Sequence, residues 1–230
     1  MICRHKNFQQ IDLNFEGLCH FPNWEEKFKN YRECVDCGVW KGRREDSHCY
    51  DGRYYQGCNI IVNGIPKRAW YWGKHKVVWD EMKIPIDKFG SVLELGCGIG
   101  RLLWTFYRES DADCVGVEGS KWACEWQKET YGLSEDYKIV NENCDTVDYS
   151  KLGKFDFVYG CHILEHLLNP MEVIEKCFEV LKPGGYMYFV VPDKVHQMVL
   201  HVHDWAYDER VFDVWFKQVG LKDFKYLRTK

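Results

Sequence analysis

The sequence predicts an α/β fold over residues 88–230, a doubly wound and mostly parallel sheet, on three observations. From Lys88 onward, short apolar segments of strand character alternate with longer helical ones, the pattern of right-handed crossovers. The strand candidates are apolar nearly throughout, as a sheet covered by helices on both faces requires. A glycine-rich turn with Gly96, Gly98 and Gly100 follows the first of them directly.

In chain order, residues 1–66 form a small, irregular, cysteine-rich segment in which glycines, charges and tyrosines follow no sustained period. Residues 67–87 hold a linking helix, Arg68 to Met82, which Ile84, Pro85 and Ile86 break. Within 88–230 the expected strands are 92–95, 114–118, 138–140, 155–159 and 186–191. The expected helices are 101–109, 121–131, 171–181 and 208–219.

The whole chain sets outer bounds. Its 230 residues hold one large domain, or one with an appendage. A net charge of -4 offers no general basic field, so no nucleic-acid partner is expected. No apolar run approaches membrane-spanning length, and MICRHKNFQQ lacks the apolar core of a signal peptide. The expectation is a cytoplasmic protein with no membrane partner. Of the twelve cysteines, Cys3, Cys19, Cys34, Cys37, Cys49 and Cys58 lie in the front segment. The others fall in or beside core elements, which fits reduced thiols better than a disulfide scaffold.

The stretch SVLELGCGIGRL, Ser91 to Leu102, carries the chemistry. In a doubly wound sheet, ligands bind beyond the carboxyl ends of the strands, where the strand order reverses. A glycine-rich turn there serves many nucleotides, or simply packs tightly. Two details discriminate. Arg101 stands where a dinucleotide fingerprint has its third glycine. Glu94 puts negative charge beside the loop, which disfavours a pyrophosphate and favours a cation. A ligand with an ammonium and a sulfonium, and no phosphate, fits both. Glu118, about 20 residues past the glycines, sits where a carboxylate accepts from ribose hydroxyls. Asp145 follows the third strand, where an adenine amino group would lie, or is an ordinary turn residue.

The run ELGCGIG, then Glu118, CDTVDY, KFDFVYGCHILEHLLNP and VLKPGGYMYFVVP, resembles a class I S-adenosylmethionine-dependent methyltransferase over residues 89–221. The resemblance implies a Rossmann-like methyltransferase fold, with S-adenosylmethionine as cofactor and S-adenosylhomocysteine as product. It implies that Glu94 and the loop of Gly96, Cys97, Gly98 and Gly100 hold the methionine part. Glu118 and Gly119 would take the ribose, Cys144 and Asp145 flank the adenine, and Cys161 and His162 lie near the sulfur, while Leu181 to Gly185, LKPGG, would be the turn before the fifth strand. The family's sheet ends in an antiparallel hairpin, yet only LKDFKYLRTK follows the last helix. One strand is then absent, or supplied by His196 to Trp205 or by another chain.

Methyl transfer from a sulfonium needs alignment, and a base only when the acceptor must lose a proton. CHILEHL offers His162, Glu165 and His166, but the order HILEH is not the HExxH zinc pattern. The resemblance places Glu165 and His166 in a signature at the start of the helix after the fourth strand, where His166 orients the acceptor or caps and packs. His203, beside Asp204, is the leading candidate base, which slightly favours a hydroxyl acceptor. The proline-aromatic motif of nucleobase amino-methylation is missing after the fourth strand. A small-molecule or sugar-type acceptor is therefore expected, with Tyr54 and Tyr55 touching cofactor or acceptor. The oligomeric state is left open.

YRECVDCGVWKG carries Cys34-x-x-Cys37 followed by glycine, a knuckle spacing. The layout resembles the small zinc-binding module in front of some sugar C-methyltransferases, with Lys6 in place of one cysteine. Cys3, Cys34 and Cys37, with His5 or Cys19, would bind a structural zinc. Two rivals are a catalytically inactive binding or scaffold protein that keeps the fold, and a nicotinamide-dependent enzyme, which Arg101 and Glu94 weaken.

Overall fold

The computed structural model describes residues 8–10, 32–37, 39–41, 61–62, 65–66, 68–192, 205–221 and 223–227. In chain order its elements begin with strands β1 (Phe8–Gln10), β2 (Arg32–Cys34), β3 (Trp40–Lys41), β4 (Ile61–Val62) and β5 (Ile65–Pro66), then helix α1 (Arg68–Met82). There follow β6 (Ser91–Leu95), α2 (Arg101–Glu109), β7 (Asp113–Val117), α3 (Lys121–Tyr131), β8 (Tyr137–Val140) and β9 (Phe155–Cys161). Helix α4 (Pro170–Val180), β10 (Leu181–Val190), β11 (Trp205–Ala206) and α5 (Glu209–Gln218) complete the order. No helix among the described residues is long and apolar enough to cross a membrane.

Two compact units divide the chain. The larger, His48–Cys161 with Glu172–Phe189, is built on a five-stranded sheet in the order β10-β9-β6-β7-β8. Strand β6 runs parallel to both β7 and β9, with Leu93 opposite Val115 on one side and Val158 on the other. Strand β7 in turn runs parallel to β8. The chain therefore winds outward from β6 to β8, then returns to the other side of β6, and the switch point falls at the end of β6. All five residues of β6 are buried, as a central strand covered on both faces must be.

Local chemistry explains the helices. Helix α2 buries Leu102, Leu103 and Phe106, one stripe at helical spacing. Helix α3 starts where the Ser120 side chain accepts from the Ala123 amide and stops at Gly132, φ 70°. Helix α1 ends at Met82, and Lys83 turns the chain with φ 58° ahead of Pro85. Trp79 of α1 is fully buried. Its indole meets Phe106, Phe157, Tyr159 and Tyr188 edge-on, with centroids 5.8–6.3 Å apart.

The other unit comprises Met1–Ser47, His162–Met171 and Val190–Lys230. Its sheet has the order β1-β2-β3-β11, with every pair antiparallel. Glu33 joins it to α5, accepting from Trp40 at 3.3 Å and from Arg210 at 2.9 Å. The Lys41 ammonium lies 4.8 Å from the centre of the Trp205 ring.

Three expectations are corrected here. LKPGG is not a turn ahead of the fifth strand, because β10 already begins at Leu181. Gly185 allows this: a Cβ there would come within 2.9 Å of the Asp156 carbonyl oxygen. The end of the His196 to Trp205 stretch does form a strand, β11, but it pairs with β3 and adds nothing to the five-stranded sheet. Glu165 and His166 belong to a 3-10 turn, Leu164–His166, rather than to the start of α4.

Trp79→Ala removes the largest aromatic group between α1 and the sheet. It is expected to destabilise the chain by about 3–5 kcal/mol, read from urea unfolding.

Candidate active site

The loop after β6 is set by backbone conformation and by one carboxylate. Gly96, Gly98 and Gly100 all have positive φ, at 62°, 56° and 69°, which residues with a Cβ adopt only under strain. The amides of Gly96 and Cys97 donate to the Val117 carbonyl at 2.8 and 3.2 Å, tying the loop to the end of β7. Glu118, the next residue, accepts from Gly98 N at 2.8 Å on one oxygen and from Ser120 N at 2.7 Å on the other. From behind, Gln127 of α3 donates to the Gly98 carbonyl at 2.8 Å and accepts from the Tyr137 hydroxyl at 2.7 Å.

Gln127 and Tyr137 were not singled out by sequence. The signal was there for Gln127, a polar residue four positions after Ala123 on the buried face of its helix. Tyr159 was missed too; it stands within the apolar strand β9 and donates to Glu94 at 2.9 Å.

Glu94 and Glu118 are both buried. Burial pushes the Glu94 carboxyl up from 4.5 to about 8, against the opposing hydrogen bond from Tyr159 and with a smaller push from Glu118. Burial raises the Glu118 carboxyl as well, opposed by the backbone amides of Ser120, Gly98 and Gly119. Among the described residues neither carboxylate forms an ion pair. Two buried acids around a glycine loop, with no cation of their own, match a ligand that brings positive charge and hydroxyl donors. The residues therefore fit S-adenosylmethionine.

The remaining expected ligand positions lie along the same ends of the strands. A Cβ on Gly119 would meet nothing closer than 3.9 Å, so the chain leaves room beside Glu118. Cys144 is buried, and its carbonyl accepts from the Tyr149 hydroxyl at 2.9 Å. Asp145 is oriented by its amide's bond to the Asn143 side chain at 2.9 Å, and its carbonyl accepts from Lys176 at 3.3 Å. Cys161 closes β9, its sulfur 3.8 Å from His75 Nε2, and His75 Nδ1 lies 3.2 Å from the Tyr188 hydroxyl.

His162 follows Cys161 directly with φ 55°, a left-handed conformation rare for a residue with a side chain. Its amide donates to the Val190 carbonyl at 2.8 Å, and its Nδ1 lies 3.3 Å from Glu165. The 3-10 turn takes His162 and His166 off a common helical face. Cys34 and Cys37 are both buried around the turn after β2. Cys3, His5, Cys19, Tyr54, Tyr55 and His203 lie outside the described residues. Among the described residues no three His, Cys, Asp or Glu side chains cluster as metal ligands.

Glu94 makes the stability of the ligand-free chain depend on pH. Its folded pKa of about 8 lies above the ordinary 4.5, so the folded state binds the proton more tightly. That contribution is complete below pH 4.5, drains away as pH rises towards 8, and is flat beyond. Thermal unfolding across this range is expected to show the decline in the wild type and a shallower one in Glu94→Gln.

A family model described as a methyltransferase domain matches residues 79–223, more than half of the chain. The ubiquinone biosynthesis O-methyltransferase of Pectobacterium atrosepticum is 32% identical over 105 residues, 44% of this chain and 42% of the relative. The tRNA U34 carboxymethyltransferase of Pseudoalteromonas translucida is 22% identical over 231 residues, 88% of this chain and 71% of the relative. The chain thus spans less than half the length of the O-methyltransferase it matches. Two solved structures share the fold. One is the methyltransferase in complex with the Haloferax volcanii Trm112 methyltransferase activator, with TM-score 0.55 and 18% identity over 72% of this chain and 74% of that one. The other is the N-terminal domain of EvdMO1 with S-adenosylhomocysteine bound, with TM-score 0.51 and 17% identity over 76% and 90%. The expectation that excluded nucleic acid does not stand, since a relative named for tRNA aligns with 88% of this chain. Net charge sums the whole surface and is silent on what a single site accepts. The Rossmann-like sheet, the glycine loop with its two buried acids and the matched family model agree: this chain belongs to the methyltransferase domain family.

Proposed function

We propose that this chain transfers a methyl group from S-adenosylmethionine to a hydroxyl acceptor. One observation carries the reading. The Gly98 and Ser120 amides, which a diphosphate site would turn towards its ligand, already donate to Glu118. The loop is thus closed to phosphate and lined by acid.

In this reading Glu94 faces the ammonium of the methionine part, and Glu118 with Gly119 takes the ribose hydroxyls. Cys144 and Asp145 flank the adenine, while Cys161 and His162 lie near the sulfur. Tyr54 and Tyr55 belong to the same proposal, as do His166 and His203 on the acceptor side. When bound, S-adenosylmethionine supplies an electrophilic methyl and a neutral leaving group. The chain's own work is to align the acceptor, keep water away and receive a proton. Relatives named for ubiquinone O-methylation support an oxygen acceptor; the relative named for tRNA means that the hydroxyl's carrier is to be found by experiment.

A structural zinc in the front segment is a finer proposal. It is supported by the Cys34-x-x-Cys37 spacing and by the burial of both residues, with Cys3, His5 or Cys19 completing the set. Metal analysis of the purified chain is expected to find one zinc per chain, and a trace amount would end the proposal.

Two measurements test the main reading. Calorimetric titration with S-adenosylhomocysteine is expected to show binding that Glu118→Ala weakens on the order of 100-fold, the loss of charge-assisted hydrogen bonds to two hydroxyls. No binding by the wild type would favour the inactive scaffold. Incubation with isotope-labelled methyl donor and, separately, a metabolite extract and bulk tRNA is expected to label an oxygen in one of them. Label on nitrogen or carbon would overturn the hydroxyl assignment.

A further inference from the structure

His75, Cys161 and Tyr188 come from three elements, α1, β9 and β10, and all lie in the larger unit together with the glycine loop. His75 is buried, and its ring stacks on that of Trp79, one turn further along α1, with centroids 5.8 Å apart. Its Nδ1 lies 3.2 Å from the Tyr188 hydroxyl and its Nε2 3.8 Å from the Cys161 sulfur, each a hydrogen-bond contact. Burial raises the Tyr188 hydroxyl, with a smaller push from Cys161, so the phenol keeps its proton at neutral pH. A thiol that shares its proton with an imidazole, which a third group orients in turn, is the arrangement of an activated nucleophile.

Access separates Cys161 from the other thiols of this unit. Cys161 is half-buried, whereas Cys97, Cys114, Cys144 and Cys177 are buried, and burial raises all four of those thiols. Cys124 is the other partly exposed cysteine among the described residues, and burial pushes its thiol up to about 12. Thiols that hold their protons so firmly are inert at neutral pH. Cys161 also stands beside the loop. Leu95 and Gly160 are partners across the parallel strands β6 and β9. One residue beyond that pair come Gly96 on one side and Cys161 on the other. Tyr159, two residues before Cys161 and so on the same face of β9, donates to Glu94 at 2.9 Å.

We propose that Cys161 is a modification site, a thiolate that reacts with hydroperoxides and, once oxidised, keeps S-adenosylmethionine out. His75 holds its proton, and Tyr188 orients His75. The blocking role rests on the methyl-transfer reading above; the reactivity does not. Before reaction the proton of Cys161 resides on His75 Nε2, while Nδ1–H donates to the Tyr188 oxygen. An electron pair of the sulfur attacks the outer oxygen of the peroxide, the O–O bond breaks, and the leaving oxygen takes the proton from Nε2. Sulfur is oxidised by two electrons to a sulfenic acid, and the peroxide is reduced by two to an alcohol or water. The new S–OH group stands beside Gly96, where the methyl-transfer reading puts the methionine part.

The test compares two thiols within one chain. The full wild-type chain is treated with iodoacetamide at pH 7, and peptide mass spectrometry follows the label at Cys161 and at Cys124. Cys161 is expected to react at least about tenfold faster, the gain in thiolate when a thiol's midpoint falls from about 8.5 to about 7. His75→Gln should abolish that advantage. One equivalent of hydrogen peroxide followed by dimedone should mark Cys161 ahead of Cys124, and saturating S-adenosylhomocysteine should protect Cys161 from both reagents. The peroxide-treated chain should bind S-adenosylhomocysteine at least about tenfold more weakly, the usual cost of crowding a packed site, and peroxide should have no such effect on Cys161→Ser. Equal rates at Cys161 and Cys124 overturn the proposal, and that comparison needs no variant. An unchanged Cys161 rate in folded His75→Gln removes the role of His75. Labelling undiminished by bound S-adenosylhomocysteine overturns the blocking role. Failure of the wild type to bind S-adenosylhomocysteine sinks the methyl-transfer reading and the blocking role together, and the rate ratio still decides the thiol.

Discussion

The contact on which the site depends is the carboxylate of Glu118 against the backbone amides of Gly98 and Ser120. With it, one side chain at the end of β7 sets both the loop after β6 and the start of α3. Charge-assisted bonds to amides are stronger than neutral ones, and these lie where water is largely excluded. The left-handed glycines make the loop possible; Glu118 selects one conformation from those they allow. In the proposed reading it also bears on the ligand's chemistry, because amides spent on a carboxylate are not offered to phosphate.

Glu94 shows the complementary side of the same design. A carboxyl in a central strand is held in a nearly dry environment with a phenol as its companion. Such a group is a poor contributor to the stability of the empty fold and, in the proposed reading, a strong partner for an arriving cation. Stability and recognition pull in opposite directions here, as is common where a site is built from buried charge.

Much of this was legible in the sequence, for physical reasons. Helices α1, α2 and α3 fall on the expected residues: α2 has a stripe of apolar positions, α3 a serine cap and a terminal glycine, and α1 a stop ahead of Pro85. The central strands were visible as short apolar runs. Less was legible where long-range pairing decides. Nothing local in Trp40 or Trp205 announces that they belong to one sheet, and LKPGG reads as a turn until Gly185 is seen packed against Asp156. At the site, Glu94, Glu118 and the glycines stood out by their positions. Gln127, Tyr137 and Tyr159 did not, since a polar group in an apolar run shows its purpose only once its partner is placed. The mistaken exclusion of nucleic acid came from using a global sum where a local surface was at issue.

The pairing of β3 with β11, Lys41 against Trp205, has a further consequence for how the chain is made. A strand near the front must wait for one that leaves the ribosome only after the whole parallel sheet has been synthesised. Closing so long a loop is slow relative to local helix formation. The early strands therefore spend translation with an open edge, a window in which a chaperone or another nascent chain competes for it.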